Sequence, residues 1–248
     1  RRVKSCTELV RRNSHGSRSV AEIERWSIDS QKTAPRPPWT CLGLSKERHK
    51  VYVDPMDYPS KPLHGRNWQN FFLVIERDVG KVAVVDGDKH EIVAHIETGY
   101  AVHVLKALEH SNASKAEFPG RFWFTMGRDG KLTKIDLWQT PDKMRVAEVQ
   151  VAYDARDVAV SGDGKYIVGG GYWPPHFVIV DAHTMDPLKV VSSRGVNVNG
   201  EYVEESRVAA IYDTPNAKSW LVAMKELGQI WQVDYRDIGN LRLEKIDH

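Results

Sequence analysis

The sequence is poor in cysteine: only Cys6 and Cys41 occur among 248 residues. Their separation excludes both a CxxC metal knuckle and a CxxCH haem-attachment motif. No stretch approaches the roughly eighteen consecutive apolar residues of a membrane-spanning helix. The first residues also lack the apolar run and small-residue cleavage site of a secretory signal. The sequence therefore predicts neither a thiolate metal site nor a membrane span, and by itself it gives no compartment.

The chain as a whole also lacks a large excess of positive or negative charge, since its net charge is only +2. The balance is uneven, however. Residues 1–50 carry 12 Lys/Arg against 5 Asp/Glu, and residues 51–248 carry 23 against 28, which gives +7 and −5. A basic, Ser- and Arg-rich segment is compatible with a nucleic-acid-binding arm. No interleaved aromatics or known binding motif accompany it, so we expect no nucleic-acid partner. We interpret residues 1–49 as a leader, disordered or foreign to the fold, and residues 50–248 as the folded domain.

The second part of the chain contains a repeat. Three segments share a Gly, a Lys or Gln, and an alternating apolar strand that closes on Asp six residues after the Gly; they are 80–86, 130–136 and 228–234. A fourth copy ends at Asp181 but has Tyr-Trp-Pro-Pro in place of the tight turn. The four aspartates lie at positions 86, 136, 181 and 234, so they are spaced by 50, 45 and 53 residues. This period is typical of β-propeller blades.

Each repeat can supply the antiparallel strands of a blade. In the first repeat the pattern predicts strands at Phe71–Glu76, Lys81–Val85 and Glu91–Ile96. The Asp-Gly pairs at 129–130 and 163–164 suit two-residue hairpin turns, in which glycine supplies the positive φ. The polar stretch 110–120 predicts a surface insertion loop. The fold class is therefore all-β, a β-propeller of about four blades. Propellers close with about four to eight blades, and this one is interpreted as part of a larger propeller with an irregular N-terminal leader.

His103 stands at the start of an apolar strand, at the predicted inner edge of a blade. A lone histidine in such a place is usually a hydrogen-bonded core residue. The alternative is a metal ligand. One histidine fits the axial ligand of a haem better than a zinc site, because zinc needs three or four protein ligands and the sequence shows no such cluster.

Arginines form a second pattern, since Arg77, Arg128 and Arg156 are each followed by Asp at a predicted inner turn or strand of successive blades. They can be surface ion pairs, worth about 0–1 kcal/mol each. They can also form a ring of guanidinium groups that binds a polycarboxylate through bidentate hydrogen bonds. Recurrence around a propeller axis supports the ring, and both interpretations stay open.

The segment 172–176 reads Tyr-Trp-Pro-Pro-His. Two prolines remove two backbone donors, which predicts an extended loop that lines a pocket. The aromatic rings either stack on a flat macrocycle or plug the blade. His176 is interpreted as a loop histidine without a catalytic role.

These motifs together resemble the d1-haem domain of cytochrome cd1-type nitrite reductases. The similarity rests on segments 99–103 (GYAVH), 126–131 (MGRDGK), 135–138 (IDLW), 171–175 (GYWPP) and 207–211 (RVAAI). It runs from about Lys50 to His248, which is about half of that family's eight-bladed domain. The GYAVH and GYWPP segments are the most specific of the five.

The resemblance implies a set of haem d1 contacts in this chain. His103 would be the proximal ligand of the iron. Lys106 stands where the family commonly has another arginine, so it keeps the charge but loses the planar fork. The expected cofactor-binding residues are His103, Arg77, Lys106, Arg128, Arg156, Tyr172 and Ala209.

The resemblance also implies an activity, the one-electron reduction of nitrite to nitric oxide. In that family two distal histidines on later blades supply protons and a c-type haem domain supplies the electron, and neither motif is in this sequence. We therefore expect little or no activity from these residues alone. For the intact protein the resemblance implies a periplasmic homodimer that takes electrons from a cytochrome c or a cupredoxin.

Two alternatives remain at this stage. The first is a haem d1 biosynthesis protein similar to a dihydro-haem d1 dehydrogenase, which shares the fold and a proximal histidine. The second is a non-enzymatic propeller that serves as a binding platform. The platform predicts no haem and leaves inward arginines around an empty channel, which is electrostatically costly.

Overall fold

The computed structural model describes residues 39–109 and 119–247, and this part of the chain is all-β. Its strands are β1 His49–Val51, β2 Phe71–Glu76, β3 Lys81–Asp86, β4 Glu91–Glu97, β5 Val104–Ala107, β6 Phe122–Met126, β7 Lys131–Asp136, β8 Arg145–Gln150, β9 Asp154–Val160, β10 Tyr166–Trp173, β11 His176–Asp181, β12 Pro187–Ser192, β13 Gly195–Val196, β14 Tyr202–Val203, β15 Val208–Thr214, β16 Ser219–Met224, β17 Gln229–Asp234 and β18 Arg242–Asp247. The helical segments are single turns, at Cys41–Gly43, Leu44–Arg48, Pro55–Asp57, Trp68–Asn70, Arg77–Val79 and Pro141–Lys143.

The strands form four successive antiparallel sheets. Blade one is β2-β3-β4, which correspond to the second, third and fourth strands of the other blades and are numbered so below. Blade two is β5-β6-β7-β8 with β1 on its outer edge, blade three is β9-β10-β11-β12, and blade four is β15-β16-β17-β18. The small β13-β14 ribbon connects blades three and four. The first strands of blades two to four, β5, β9 and β15, lie side by side. This is the arrangement of a β-propeller, whose inner strands surround a common axis.

The repeated aspartates end the third strand of every blade, as the sequence period predicts. Each carboxylate accepts hydrogen bonds from backbone N–H groups of the turn that follows. Asp181 Oδ1 accepts from His183 N at 2.9 Å and Thr184 N at 3.0 Å. Asp86 Oδ1 accepts from the two residues that follow Gly87 in the same way. Asp therefore recurs at this position because its side chain stabilises the turn between the third and fourth strands, as an Asx turn does.

Alternation along the strands places one apolar cluster between each pair of neighbouring blades. In β11, Val178 and Val180 face blade two, whereas Phe177 and Ile179 face blade four. A strand buried on both faces has to be apolar at every position, which explains the unbroken Phe-Val-Ile-Val run. Because side chains alternate between the two faces of a strand, a strand such as β11 contributes apolar side chains to the clusters on both sides, and these clusters stabilise the packing of the blades.

The hairpin prediction is confirmed in its backbone and wrong in its length. Gly130 and Gly164 have positive φ, +75° and +69°. The turns are longer than two residues, because β6 ends at 126 and β7 begins at 131, and β9 ends at 160 and β10 begins at 166. In the first turn Gly127 N donates to Lys131 O and Gly130 N to Gly127 O, both at 3.0 Å. Glycine therefore closes a three-residue loop.

Part of the segment assigned to the leader packs against blade two. Cys41 and Leu44 are buried in the cluster between blades two and three. Arg48 donates from Nη1 to Gln150 Oε1 at 2.7 Å and from Nη2 to Tyr153 Oη at 2.9 Å. Residues 39–49 are thus joined to the propeller by apolar and polar contacts. Residues 1–38 lie outside the described part, and the domain boundary stays a prediction, as does the insertion loop at 110–120, of which 110–118 lie outside it.

A search of residues 39–109 and 119–247 finds no helix long and apolar enough to cross a membrane.

Candidate functional site

Antiparallel topology brings the residues singled out in the sequence to one end of the blades. First strands start at this end, and the turns between second and third strands lie there as well. His103 directly precedes β5, Arg77 and Arg128 lie in second-to-third-strand turns, and Tyr172 is near the end of β10. We call this end of the four blades the site end.

His103 lies at the site end with both ring nitrogens near carbonyl oxygens. Nε2 is 2.6 Å from Arg156 O, and Nδ1 is 3.3 Å from Ala101 O. Its backbone N–H donates to Met126 O at 3.2 Å, which fixes the start of β5 against β6. Either ring nitrogen can donate to the carbonyl oxygen beside it, and the closer of the two acceptors is at Nε2. The histidine therefore ties blade two to the first strand of blade three.

Tyr172 is the centre of a cation cluster. The guanidinium carbons of Arg207 and Arg128 lie 5.4 and 5.5 Å from the centroid of its ring, and Lys225 Nζ lies 5.8 Å from it. Such distances are typical of cation–π contacts. The three cations come from blades two and four, and the ring comes from blade three. We call these four residues the Tyr172 cluster.

Two carboxylates hold the arginines of this cluster. Arg128 Nη2 lies 3.0 Å from Asp154 Oδ1 and 3.2 Å from Oδ2. Arg207 donates to Glu226 from Nε and from its backbone N, at 2.6 Å each, and its Nη2 also pairs with Glu226. Burial raises the pKa of Glu226, but the contacts from Arg207 outweigh it and hold that pKa below the usual value. Both arginines are thus fixed in position.

Two β-bulges lie at the site end, one at Tyr172 and one at Ala209. The pairing of β9 with β10 shifts register on both sides of Gly171, which leaves Tyr172 without a partner in the ladder. The pairing of β15 with β16 shifts between Val208 and Ala210, so Ala209 is the extra residue there. Bulges turn side chains out of the regular alternation and are common near functional sites.

The predicted arginine ring is only partly assembled. Arg77 and Arg128 occupy equivalent turns in blades one and two, but the Arg77 side chain is exposed and pairs with Asp78. Arg156 lies on the first strand of blade three, so it is not equivalent to the other two. Lys106 is exposed on β5. Within the described residues, no hydrogen bond, ion pair or cation–π contact joins Arg77, Lys106 or Ala209 to the Tyr172 cluster.

The Tyr-Trp-Pro-Pro-His segment differs from its prediction as a pocket-lining loop. Tyr172 and Trp173 belong to β10, and only Pro174 and Pro175 form the turn before β11. His176 is not a loop residue: it opens β11, is 4% exposed and contacts Val151 O at 2.6 Å through Nε2. Since most of the surroundings of His176 come from other parts of the chain, its neighbours in sequence gave no signal of this burial.

Sequence reasoning missed Arg207 and Lys225. Arg207 opens the 207–211 segment used for the family resemblance but was assigned no role, and Lys225 lies in the turn after β16, outside every motif. Lys225 occupies the same second-to-third-strand turn in blade four as Arg77 in blade one and Arg128 in blade two. Alignment of the repeats by turn could therefore have found it.

The chemistry of the site end fits a flat, anionic macrocycle. A histidine such as His103 can bind a haem iron, and the ring of Tyr172 can contact a planar face. The cations around Tyr172 can bind carboxylates. For His103 Nε2 to meet a metal, its contact with Arg156 O has to break. In the described ranges no three His, Cys, Asp or Glu side chains come together as a metal site.

Comparisons with known proteins agree with this chemistry. Residues 66–248 match the family model described as "Cytochrome D1 heme domain". The chain is 42% identical over 230 residues to a nitrite reductase of Stutzerimonas stutzeri, a match that covers 91% of this chain and 39% of the relative. It is 31% identical over 177 residues to a dihydro-heme d1 dehydrogenase of Pseudomonas aeruginosa, covering 71% of this chain and 33% of the relative.

Among solved structures, the dihydro-heme d1 dehydrogenase NirN in complex with DHE matches with a TM-score of 0.70 and 27% identity, over 86% of this chain and 43% of that chain. The chain thus spans about two fifths of the length of the relatives it matches. Residues 50–248 are 199 of 248, or 80% of the chain. A match over 91% therefore includes part of residues 1–49.

Proposed function

Because the chain belongs to the cytochrome D1 heme domain family, we propose that its site end binds haem d1 and takes part in the reduction of nitrite. The observation that carries this proposal is the Tyr172 cluster, three cations from two blades around one aromatic ring. Such an arrangement is suited to a planar macrocycle that carries carboxylates. The 42% identity to a nitrite reductase over most of the chain supports the reaction.

Bound haem d1 would supply the iron at which nitrite takes up one electron and two protons to give nitric oxide and water. The protein residues would bind and orient this group. Arg128 and Arg207, already fixed by Asp154 and Glu226, would meet carboxylates without losing side-chain freedom on binding. The positive charge of the site end would also attract the nitrite anion.

His103 would hold the iron of the haem through a ring nitrogen. In the present geometry its Nε2 points at Arg156 O, 2.6 Å away. Ligation through Nε2 requires that nitrogen to be deprotonated, with the proton on Nδ1, where Ala101 O lies 3.3 Å away as an acceptor. A hydrogen bond at the second nitrogen is the usual way in which a protein fixes the tautomer of a ligating histidine.

The remaining parts of the activity are proposals about the whole protein. We propose that an intact relative of this chain is a periplasmic homodimer, that it carries a haem c domain, and that it takes electrons from a cytochrome c or a cupredoxin. The distal proton donors would lie on blades outside this sequence.

A second candidate is a haem d1 biosynthesis protein of the dihydro-haem d1 dehydrogenase type. The 31% identity and the TM-score of 0.70 to such proteins support it. It shares the haem-binding end with the reductase, so both candidates predict binding of a d1-type macrocycle. A chain that binds dihydro-haem d1 at least about tenfold more tightly than haem d1, a difference of about 1.4 kcal/mol, would favour the dehydrogenase.

The proposal is tested by titration of the 248-residue chain with haem d1, followed by visible absorption. We expect one haem per chain and a changed or lost spectrum in His103→Ala, because the substitution removes the axial nitrogen. His95→Ala is the matched control: His95 lies on β4 with a 45% exposed side chain and pairs with Glu76. Unchanged spectra in His103→Ala would contradict the ligand assignment, and no binding by a folded wild-type chain would favour the empty binding platform.

A further inference from the structure

A basic residue recurs in the turns between second and third strands. Blade one has Arg77 there, blade two has Arg128 and blade four has Lys225. In blade three the corresponding turn is Pro174–Pro175, directly after Tyr172 and Trp173 at the end of β10. Basic residues in the turns of blades two and four therefore flank the strand end that carries this aromatic pair.

Blade four supplies the two cations of the Tyr172 cluster to which sequence analysis assigned no role. Their two loops are joined by one backbone hydrogen bond and one bond from backbone to a side chain. Lys225 N donates to Arg207 O at 2.9 Å, and Glu226 N donates to Ser206 Oγ at 3.1 Å. The Glu226 carboxylate then holds the Arg207 guanidinium. Arg207 and Lys225 thus form one structural unit, which we call the blade-four pair.

The charges at this place do not balance. Arg128 is paired with Asp154 and Arg207 with Glu226. Lys225 is exposed and has no ion pair within residues 39–109 and 119–247. Three cations against two carboxylates leave one positive charge beside the ring. Like charges around one ring repel each other, and an anion bound between them would remove that repulsion.

We propose that the blade-four pair binds a carboxylate group of the macrocycle over the Tyr172 ring. Lys225 supplies the uncompensated charge, and Arg207 supplies a guanidinium that Glu226 keeps in one orientation. The inference rests on the proposed function, because the anion is a side-chain carboxylate of haem d1. It assigns the excess positive charge of the Tyr172 cluster to Lys225, which the proposed function leaves without a role of its own.

The test compares haem d1 affinities of the full chain and its variants by visible absorption at several salt concentrations. Lys225→Gln removes the free charge, and the double variant Arg207→Gln/Glu226→Gln removes the fixed ion pair without leaving a single unpaired charge. Lys89→Gln is the matched control, because Lys89 is exposed on the turn between β3 and β4, at the opposite end of blade one. Far-UV circular dichroism verifies the fold of each variant.

We expect Lys225→Gln to weaken haem d1 binding about tenfold, as expected for a hydrogen bond to a charged group, and to reduce the salt dependence of the affinity. A structural defect would lower the affinity without changing its salt dependence. With haem d1 whose carboxylates are esterified, wild type and Lys225→Gln should bind equally. Lys89→Gln should match wild type with both macrocycles.

Two results overturn the inference in different ways. If wild type binds haem d1 and both blade-four variants keep its affinity and salt dependence, the inference fails and the proposed function stands. If the folded wild-type chain binds no haem d1, the proposed function fails and the inference fails with it. Because Lys225 is exposed, Lys225→Gln tests the inference even if the double variant does not fold.

Discussion

At the scale of single residues, the clearest difference between sequence and structure is His176. It is buried where β11 begins, beside Trp39, whose ring centroid is 5.4 Å away. Burial lowers the pKa of His176 to about 4, although its contact with Val151 O acts in the opposite direction. The histidine is therefore neutral in the folded protein at pH values where an unfolded chain would protonate it.

This difference predicts a pH-dependent stability. Below about pH 6.5 the unfolded state binds a proton at His176 and the folded state does not, so stability falls as the pH decreases from about 6.5 to about 4. We expect a loss of about 2 kcal/mol from this residue between pH 7.5 and pH 5. Urea unfolding at the two pH values measures it. His176→Gln keeps a donor for Val151 O but does not titrate, so it should lose this part of the pH dependence.

The control for this prediction is His95→Gln, which changes a surface histidine on β4 and should leave the pH dependence due to His176 intact. A His176→Gln protein with the full wild-type pH dependence would show that other groups cause it.

At the scale of elements, the turns between second and third strands test how strictly the backbone requires glycine. Gly80, Gly130 and Gly228 occupy equivalent places and all have positive φ. Their surroundings differ. A Cβ on Gly130 would lie 2.0 Å from Ala152 O, whereas a Cβ on Gly228 would meet only the Val198 side chain, at 3.5 Å.

We therefore expect Gly130→Ala and Gly228→Ala to differ although their φ values are similar. Gly228→Ala should cost about 1 kcal/mol from the backbone conformation alone. Gly130→Ala adds a clash with backbone of the link to blade three and should cost more than about 3 kcal/mol or prevent folding. Thermal unfolding followed by circular dichroism measures both. Equal effects would mean that the link moves to accommodate the methyl group.

At the scale of the whole molecule, buried lysines join successive blades. Lys134 Nζ donates to Ala182 O and His183 O at 2.8 and 2.9 Å, which connects blade two to blade three. Lys189 Nζ donates to Ile238 O and Gly239 O at 2.8 and 3.1 Å, which connects blade three to blade four. In both pairs the carbonyls belong to the turn after a repeated aspartate, so these turns serve two blades.

A ligand that contacts several blades should stabilise all of them. Haem d1 at about 100 times its dissociation constant would add about 2.7 kcal/mol to the free energy of unfolding. For a domain of this size that corresponds to a rise in Tm of about 5–10 °C. Circular dichroism melts with and without haem d1 measure the shift, and His103→Ala should reduce it. If absorption shows that haem d1 binds but the Tm does not change, haem d1 also binds the unfolded chain.

The sequence by itself determined the repeating parts of the fold. The repeated apolar strand that ends in Asp located the third strand of each blade, and the predicted strands of the first repeat agree with the structure to within one residue. These features are local: strand alternation, an Asx turn and a positive φ each depend on a few consecutive residues. Membership in a haem d1 family could also be predicted, because the GYAVH and GYWPP motifs keep their order along the chain.

Only the tertiary structure decided which side chains meet. It brought Arg207 and Lys225 to Tyr172, buried His176, and placed Arg156 on a first strand, whereas Arg77 and Arg128 lie in turns. These contacts join residues that are tens of positions apart in sequence, and they depend on bulges that redirect single side chains. A one-residue shift in a strand changes the face of each residue in it. For this reason the sequence could predict some of the residues at the site end, but only the packing of the blades determined which of them lie next to each other.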